Sequence, residues 1–280
     1  MIQTLYRFFK DTGLRGRGVL VRAVSFMHPR ARRFPLQIPG LGVIHADLRL
    51  GSVIPLFDYA LGDLGHCTQL ASCMEWFLKP GACQWDIGAN IGTVSLHFAQ
   101  SRFGLQRIEV FEPNPDLVFN LRLVFADLPR VRINPVALGD TNGEAHLHVQ
   151  NADNSSTASL VKEFAGEKQV TVSLTSGDAF WREQRAPAPS VIKIDVEGYE
   201  PQVFAGLREV IQAAQPVLFF EHLFLSHEQI QSIVPKGYTW FLILDQGGLT
   251  QDLAKRDRSH DSVLIPPTRL HELPAEAVSQ

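Results

Sequence analysis

From Cys83 onward, short apolar runs alternate with segments whose apolar residues recur at helical spacing. No other feature of the chain limits its fold so strongly. CQWDIG, RIEVFEP, VRINPVAL, VIKIDV, PVLFFE and YTWFLIL read as strands. TVSLHFAQSRF, PDLVFNLRLVFADL, PQVFAGLREVIQAA and LSHEQIQSIV read as helices between them. Strands so short and so uniformly apolar need cover on both faces. The pattern therefore predicts an α/β domain over 81–267, with a mostly parallel sheet and helices on both sides.

A chain of 280 residues permits one such domain with additions, or two small domains. Residues 1–80 read as an N-terminal extension. Residues 1–30 are helical and stop at Pro29, and FPLQI, GVIHADL and SVIPLF are expected as small strands and turns. TQLASCMEWFL is expected as a helix ending at Lys79-Pro80-Gly81. Between 141 and 190 the rhythm breaks. EAHLHV and QVTVSL alternate as a small antiparallel insert would, and SGDAFWREQ is a short helix with Asp178 at its start. The tail, 268–280, is expected to add little to the core.

Composition narrows the functional classes. The 26 basic and 29 acidic residues give a net charge of −3, without the basic excess of a nucleic-acid binder. Cys67, Cys73 and Cys83 form neither a disulfide framework nor a metal-site spacing, which fits a reducing, cytoplasmic setting. No apolar run is long enough to span a membrane, and the N-terminus lacks signal-peptide character. Its basic, amphipathic start fits two readings: a helix packed on the domain, or a weak contact with a membrane surface. Asn154 begins an NSS glycosylation sequon.

Open α/β sheets bind ligands beyond the carboxyl ends of their strands. WDIGANIG puts Asp86 near one such end, then Gly88, Ala89, Asn90 and Gly92 in a turn leading to a helix. The turn is neither G-x-G-x-x-G nor a P-loop. The next strand ends at Glu112, where a carboxylate accepts hydrogen bonds from ribose hydroxyls. Together they point to a cofactor that contains a nucleoside.

WDIGANIGTVSL, VFEPNP, NPVALGD, IKIDVEGYEPQVFAGL and PVLFFE, over roughly 80–221, resemble the FkbM family of S-adenosylmethionine-dependent methyltransferases. The resemblance implies the class I methyltransferase fold, a seven-stranded sheet whose last strand is antiparallel, supplied here by DSVLIP beside YTWFLIL. It implies that the Asp86–Gly92 loop wraps the methionine part of S-adenosyl-L-methionine, that Glu112 holds the ribose, and that Ala137 and Leu138 lie near the adenine. It also implies methyl transfer to a hydroxyl oxygen of a saccharide, glycolipid or other small natural product.

VIKIDVEGYE then ends beside the cofactor, and its acids become candidates for the acceptor. Asp195 and Glu197 can orient the hydroxyl or take its proton, and Lys193 can pair with a carboxylate in the crevice. Gly198 frees the turn, and Glu200 suits a helix N-terminus. Glu221 and His222 end the following strand as candidates for acceptor binding or proton transfer, with His227 a weaker one. Asp195, Glu197 and Glu221 also offer hard oxygen ligands to a divalent cation, although no metal site is favoured. DNSSTASL, 153–160, fits either a substrate loop or a surface loop. Two rival readings are a nucleotide-cofactor oxidoreductase and a non-catalytic binder of cofactor or sugar.

Overall fold

The computed structural model describes residues 2–12, 16–65, 67–149, 158–161 and 168–278. The N-terminal segment forms α1 (Ile2–Asp11), α2 (Arg17–Met27), the hairpin β1 (Phe34–Ile38) with β2 (Gly42–Ala46), α3 (Ile54–Ala60) and α4 (Cys67–Phe77). SVIPLF was expected as strand and is helical instead. Pro55 sits in the first turn of α3, where its fixed φ suits a helix, and Leu56, Phe57 and Ala60 recur at helical spacing.

The alternating segments follow as β3 (Cys83–Ile87), α5 (Thr93–Phe98), β4 (Arg107–Phe111), α6 (Pro115–Val124) and β5 (Val131–Asn134). VRINPVAL is not one strand. Pro135 has no N–H for a ladder, and the chain leaves the main sheet there. β6 (Ala137–Gly139) joins β7 (Gly143–Val149) and β8 (Lys168–Ser176) in a small sheet. β7 and β8 form the expected antiparallel pair, and β6 adds to β8 in parallel.

After α7 (Gly177–Gln184) come β9 (Val191–Ile194), α8 (Glu200–Ala205), α9 (Arg208–Ala214), β10 (Val217–Glu221), α10 (His227–Ile233), β11 (Thr239–Ile243), β12 (Leu249–Thr250) and β13 (Asp261–Ile265). Ser176, not Asp178, caps α7. The Asp178 carboxylate instead accepts from the backbone N–H groups of Glu209 and Val210 and caps α9 from outside.

The main sheet runs β12-β11-β13-β10-β9-β3-β4-β5. β5, β4, β3, β9 and β10 are parallel neighbours, and β13 is antiparallel to both β10 and β11. The two-residue β12 adds an edge to the seven expected strands. β3 and β9 are buried along their whole length, as a sheet covered on both faces requires. On one face Phe180 of α7 packs edge-on to Trp85 and Phe111, and on the other Phe77 of α4 meets Phe219.

The N-terminal segment is not a detachable cap. Tyr6, Leu36, Phe57 and Met74 belong to the same apolar cluster as Val191 and Phe219 of the sheet. The tail also contributes more than expected. Arg269 donates to the carbonyl oxygens of Ser190 and Phe77 and pairs with Glu272, which ties the start of β9 to the end of α4. Ala277 is buried and accepts from the N–H of Leu249.

Connections run one way from β3 to β4 and β5, and the other way from β9 to β10. That reversal leaves a crevice at the carboxyl ends of β3 and β9, where open α/β sheets hold their ligands.

Candidate active site

The loop after β3 is built by glycine. Gly88 has φ of 72°, and a Cβ there would lie 1.8 Å from the carbonyl oxygen of Asp195. Only glycine lets the loops after β3 and β9 touch backbone to backbone. The N–H groups of Gly88 and Ala89 both donate to the Phe111 carbonyl, 3.0 and 3.1 Å away. Asn90 takes the left-handed conformation that asparagine tolerates. Its N–H donates to Glu112 Oε2, and the N–H of Asn114 donates to Glu112 Oε1, each at 2.9 Å. Backbone from two loops thus aims the Glu112 carboxylate. Burial pushes its pKa up to about 7 against the pull of those two N–H groups.

Lys193 explains the charge inside a buried strand. Its ammonium donates to the Gly88 carbonyl at 2.9 Å and lies 3.3 Å from Asp86 Oδ1 and 3.2 Å from Asp195 Oδ2. An ammonium has three N–H donors, and here each has an oxygen. Burial alone would depress the Lys193 pKa, but Asp195 and Asp86 outweigh it and hold the group above its usual range. The other oxygen of Asp86 accepts from Ser95 Oγ at 2.6 Å. Burying this charge is tolerable because the charge is paired.

The acids after β9 stand in a strained turn. Glu197 has φ of 53° and Gly198 of 94°. Glu200 Oε1 closes that turn, accepting from the N–H groups of Val196 and Gly198 at 3.0 and 3.4 Å. Burial pushes Glu200 up to about 7. Glu197 also rises to about 7, through burial and then the charges of Asp195 and Glu200. Glu221 rises to about 9, again through burial first and then Asp195 and Glu197. Asp261 stands opposite Glu221 in the β10–β13 register, and burial lifts it to about 7. Asp195, Glu197 and Glu221 each place an oxygen within 4.8 Å of the others, close enough to share a divalent cation.

A cavity of ≈ 540 Å³ crosses these strand ends. Gly88, Ala89, Asn90, Glu112, Ala137 and Leu138 line it, and so do Lys193, Asp195, Glu197 and Glu221. Two expected residues act from behind the wall. Asp86 reaches the cavity only through Lys193, and a Cβ at Gly92 would meet Leu121 of the packed helix α6 and Phe125 just after it at 2.7 Å.

His222 is a correction. Strand alternation turns it away from the cavity, where its Nδ1 meets Ser262 Oγ at 2.9 Å. Burial depresses its pKa to about 4, and the ring is spent on the contact between β10 and β13 outside the cavity lining. His227 lies against Trp240.

Sequence reasoning missed Asp261, His260, Cys67 and Pro55 in the cavity wall. Asp261 opens the apolar run DSVLIP, but only antiparallel pairing with β10 sets it beside Glu221. Of the loop expected at 153–160, residues 153–157 lie outside the described residues. Ser159 pairs backbone to backbone with His148 and donates through Oγ to the Glu197 carbonyl at 2.7 Å, while Ala158 and Leu160 line the cavity.

The strand order, the antiparallel β13 and the glycine turn at the switch point define a class I methyltransferase fold. Comparison with known proteins gives the family. The Methyltransferase FkbM domain matches residues 86–255, and the chain belongs to that family. It is similar to the hexuronic acid methyltransferase AglP of Haloferax volcanii, 26% identical over 180 residues, which cover 64% of this chain and 68% of the relative. It is also similar to the 2-O-methyltransferase NoeI of Sinorhizobium fredii, 29% identical over 157 residues, 51% of this chain and 63% of that one. A crystal structure of methyltransferase FkbM from Methylobacillus flagellatus aligns with 66% of this chain and 43% of its own, at 19% identity and a TM-score of 0.45. The chain thus spans less than two thirds of the length of the last two.

Proposed function

We propose that this protein transfers a methyl group from S-adenosyl-L-methionine to a hydroxyl oxygen of a saccharide, either free or carried on a larger molecule. The observation that carries this reading is that one cavity is lined by two sets of residues, Glu112 with its glycine loop and the acids Asp195, Glu197 and Glu221, which Lys193 links by contacting both Gly88 and Asp195.

The first set suits the donor. The Glu112 carboxylate has roughly four lone-pair sites and spends two on the N–H groups of Asn90 and Asn114, which leaves acceptors for a ribose diol. Val136, Ala137 and Leu138 supply an apolar wall for a purine. When bound there, S-adenosylmethionine supplies an electrophilic methyl group.

The second set suits the acceptor. Methyl transfer to a hydroxyl needs an oxygen aligned, dehydrated and relieved of its proton. Asp195 is held by Lys193, so its carboxylate is a fixed hydrogen-bond acceptor that orients the hydroxyl. Glu197, poised at about 7, takes the proton at its carboxylate. Glu221 stays protonated at neutral pH and donates a hydrogen bond to the sugar. Acids on this wall favour a neutral, hydroxyl-rich acceptor over one that carries its own carboxylate. The relatives support a saccharide acceptor: one is named for 2-O-methylation, and the other for a hexuronic acid, which carries the carboxylate that this wall disfavours.

A second reading places a divalent cation among Asp195, Glu197 and Glu221, favoured by their mutual spacing. The ion would lower the hydroxyl pKa in place of a carboxylate base. Incubation with methyl-labelled S-adenosylmethionine and a panel of neutral and acidic sugars tests the main reading. Labelled methyl ether on a neutral sugar, undiminished after chelation, supports it. Donor binding without transfer to any sugar rejects it, and transfer abolished by chelator and restored by Mg²⁺ selects the second.

A further inference from the structure

Charge is divided unevenly along the chain. Residues 1–46 hold eight basic side chains and one acid, a balance of +7, while the remaining residues hold 18 basic and 28 acidic ones. Lys10 and Arg17 turn inward to Asp58 of α3. Arg7, Arg30, Arg32 and Arg33 are exposed.

The apolar side chains of the same segment are as unusual. Among the described residues, the four most exposed large hydrophobic side chains all lie on α1 and α2: Phe26 at 90%, Met27 at 76%, Val19 at 71% and Phe8 at 53%. These are not helices short of a core. Tyr6 of α1 stacks on Phe57 at 5.0 Å, and Val21 of α2 is buried. Each helix has its inner apolar face already packed and carries further apolar groups outward. On α2, Val19 and Phe26 stand seven residues apart and so share one face.

We propose that the α1–α2 hairpin docks on an anionic bilayer surface. A membrane interface takes both halves of this surface at once. Its anionic headgroups match the arginines, and its acyl boundary receives Phe26, Met27, Val19 and Phe8. A nucleic acid would match the arginines and leave the apolar groups in water. A second copy of the chain would match the apolar groups and set one strongly basic patch against another.

The inner face of the hairpin ties docking to the cavity. Tyr6 and Lys10 contact Phe57 and Asp58 of α3, and Gly18 lies against Ile54 of α3. The neighbouring Pro55 lines the cavity. Docking therefore fixes the cavity at a set distance from lipid. The proposal does not depend on the assigned reaction.

The test is co-sedimentation of the full chain with phosphatidylglycerol–phosphatidylcholine vesicles and with pure phosphatidylcholine vesicles, at low and high salt. Two surface variants accompany it: Val19→Ser/Phe26→Ser/Met27→Ser and Arg30→Gln/Arg32→Gln/Arg33→Gln. We expect about tenfold or greater preference for the anionic vesicles at low salt, weakened by high salt, and loss of binding in both variants with unchanged melting temperatures. Should one variant fail to fold, lipid composition, salt and the other variant still decide. Equal sedimentation with both vesicle types, no sedimentation, or wild-type binding retained by folded variants overturns the proposal. So does a dimer in light scattering that the apolar variant dissolves, or a preference for duplex DNA or RNA over the vesicles.

Discussion

The ammonium of Lys193 donates to the carbonyl oxygen of Gly88 across 2.9 Å, and so the fourth strand in the main sheet's parallel set holds the loop that follows the first. Asp86 and Asp195 flank the same ammonium. One side chain thereby fixes the spacing between the loop after β3 and the acid after β9.

Lys193→Met should cost about 3–5 kcal/mol of stability, because it leaves Asp86 buried without its counter-charge. The denaturant midpoint reads the loss. Donor affinity should fall with it, because Gly88 loses its tether. A variant with wild-type stability and wild-type donor affinity would mean that the tie carries no energy.

Glu112→Ala should weaken donor binding about tenfold to a hundredfold, the range expected for removing hydrogen bonds to a charged acceptor. Calorimetry with S-adenosylmethionine measures this directly. Turnover at saturating donor should change far less if Glu112 serves donor binding and not proton removal. A variant that binds donor normally would remove Glu112 from the ribose.

The pH dependence of kcat/KM for the acceptor, measured at saturating donor so that Glu112 does not contribute, should be bell-shaped. Glu197 must be ionised to take a proton, so activity rises through about 7. Glu221 must keep its proton to donate, so activity falls through about 9. Glu197→Gln should lower the rate by about a hundredfold or more and abolish the rising limb. Glu221→Gln should keep the rising limb and lose the falling one. If both limbs persist in both variants, these acids are not the titrating groups.

Stability should rise as pH is lowered from about 9 towards about 5. The sign follows from the raised carboxyl groups: each is easier to protonate in the folded chain than in the unfolded one. Their stabilising effect is complete below the unfolded values, 4.5 for the Glu residues and 3.8 for Asp261, and is lost as pH climbs through about 7 for Glu112, Glu197, Glu200 and Asp261, and about 9 for Glu221. Melting temperatures across this range test the slope, which Glu221→Gln should flatten above about 7. A melting temperature that climbs with pH over the same interval would contradict the assignment.

Much of the fold was legible because its signals are local. Apolar runs bounded by glycine turns mark strands buried on both faces, and a glycine pair followed one strand later by Glu112 marks a ligand crevice. The readings that failed depended on partners remote in sequence. SVIPLF has the composition of a strand, yet its apolar residues serve a helix packed on Tyr6. His222 adjoins a cavity residue in sequence, but alternation along β10 turns it to Ser262.

The sequence by itself determined the order of strands and helices, the glycine turn and the presence of carboxylates at strand ends, because periodicity and turn chemistry act over a few residues. Tertiary structure decided what those carboxylates do. It spent Asp86 and Asp195 on Lys193, turned Glu200 into the closure of a loop, and set Asp261 beside Glu221 from a strand at the far end of the chain. A carboxylate's charge and role depend on its burial and on the charges within a few ångströms, and those neighbours come from strands that only the folded sheet brings together.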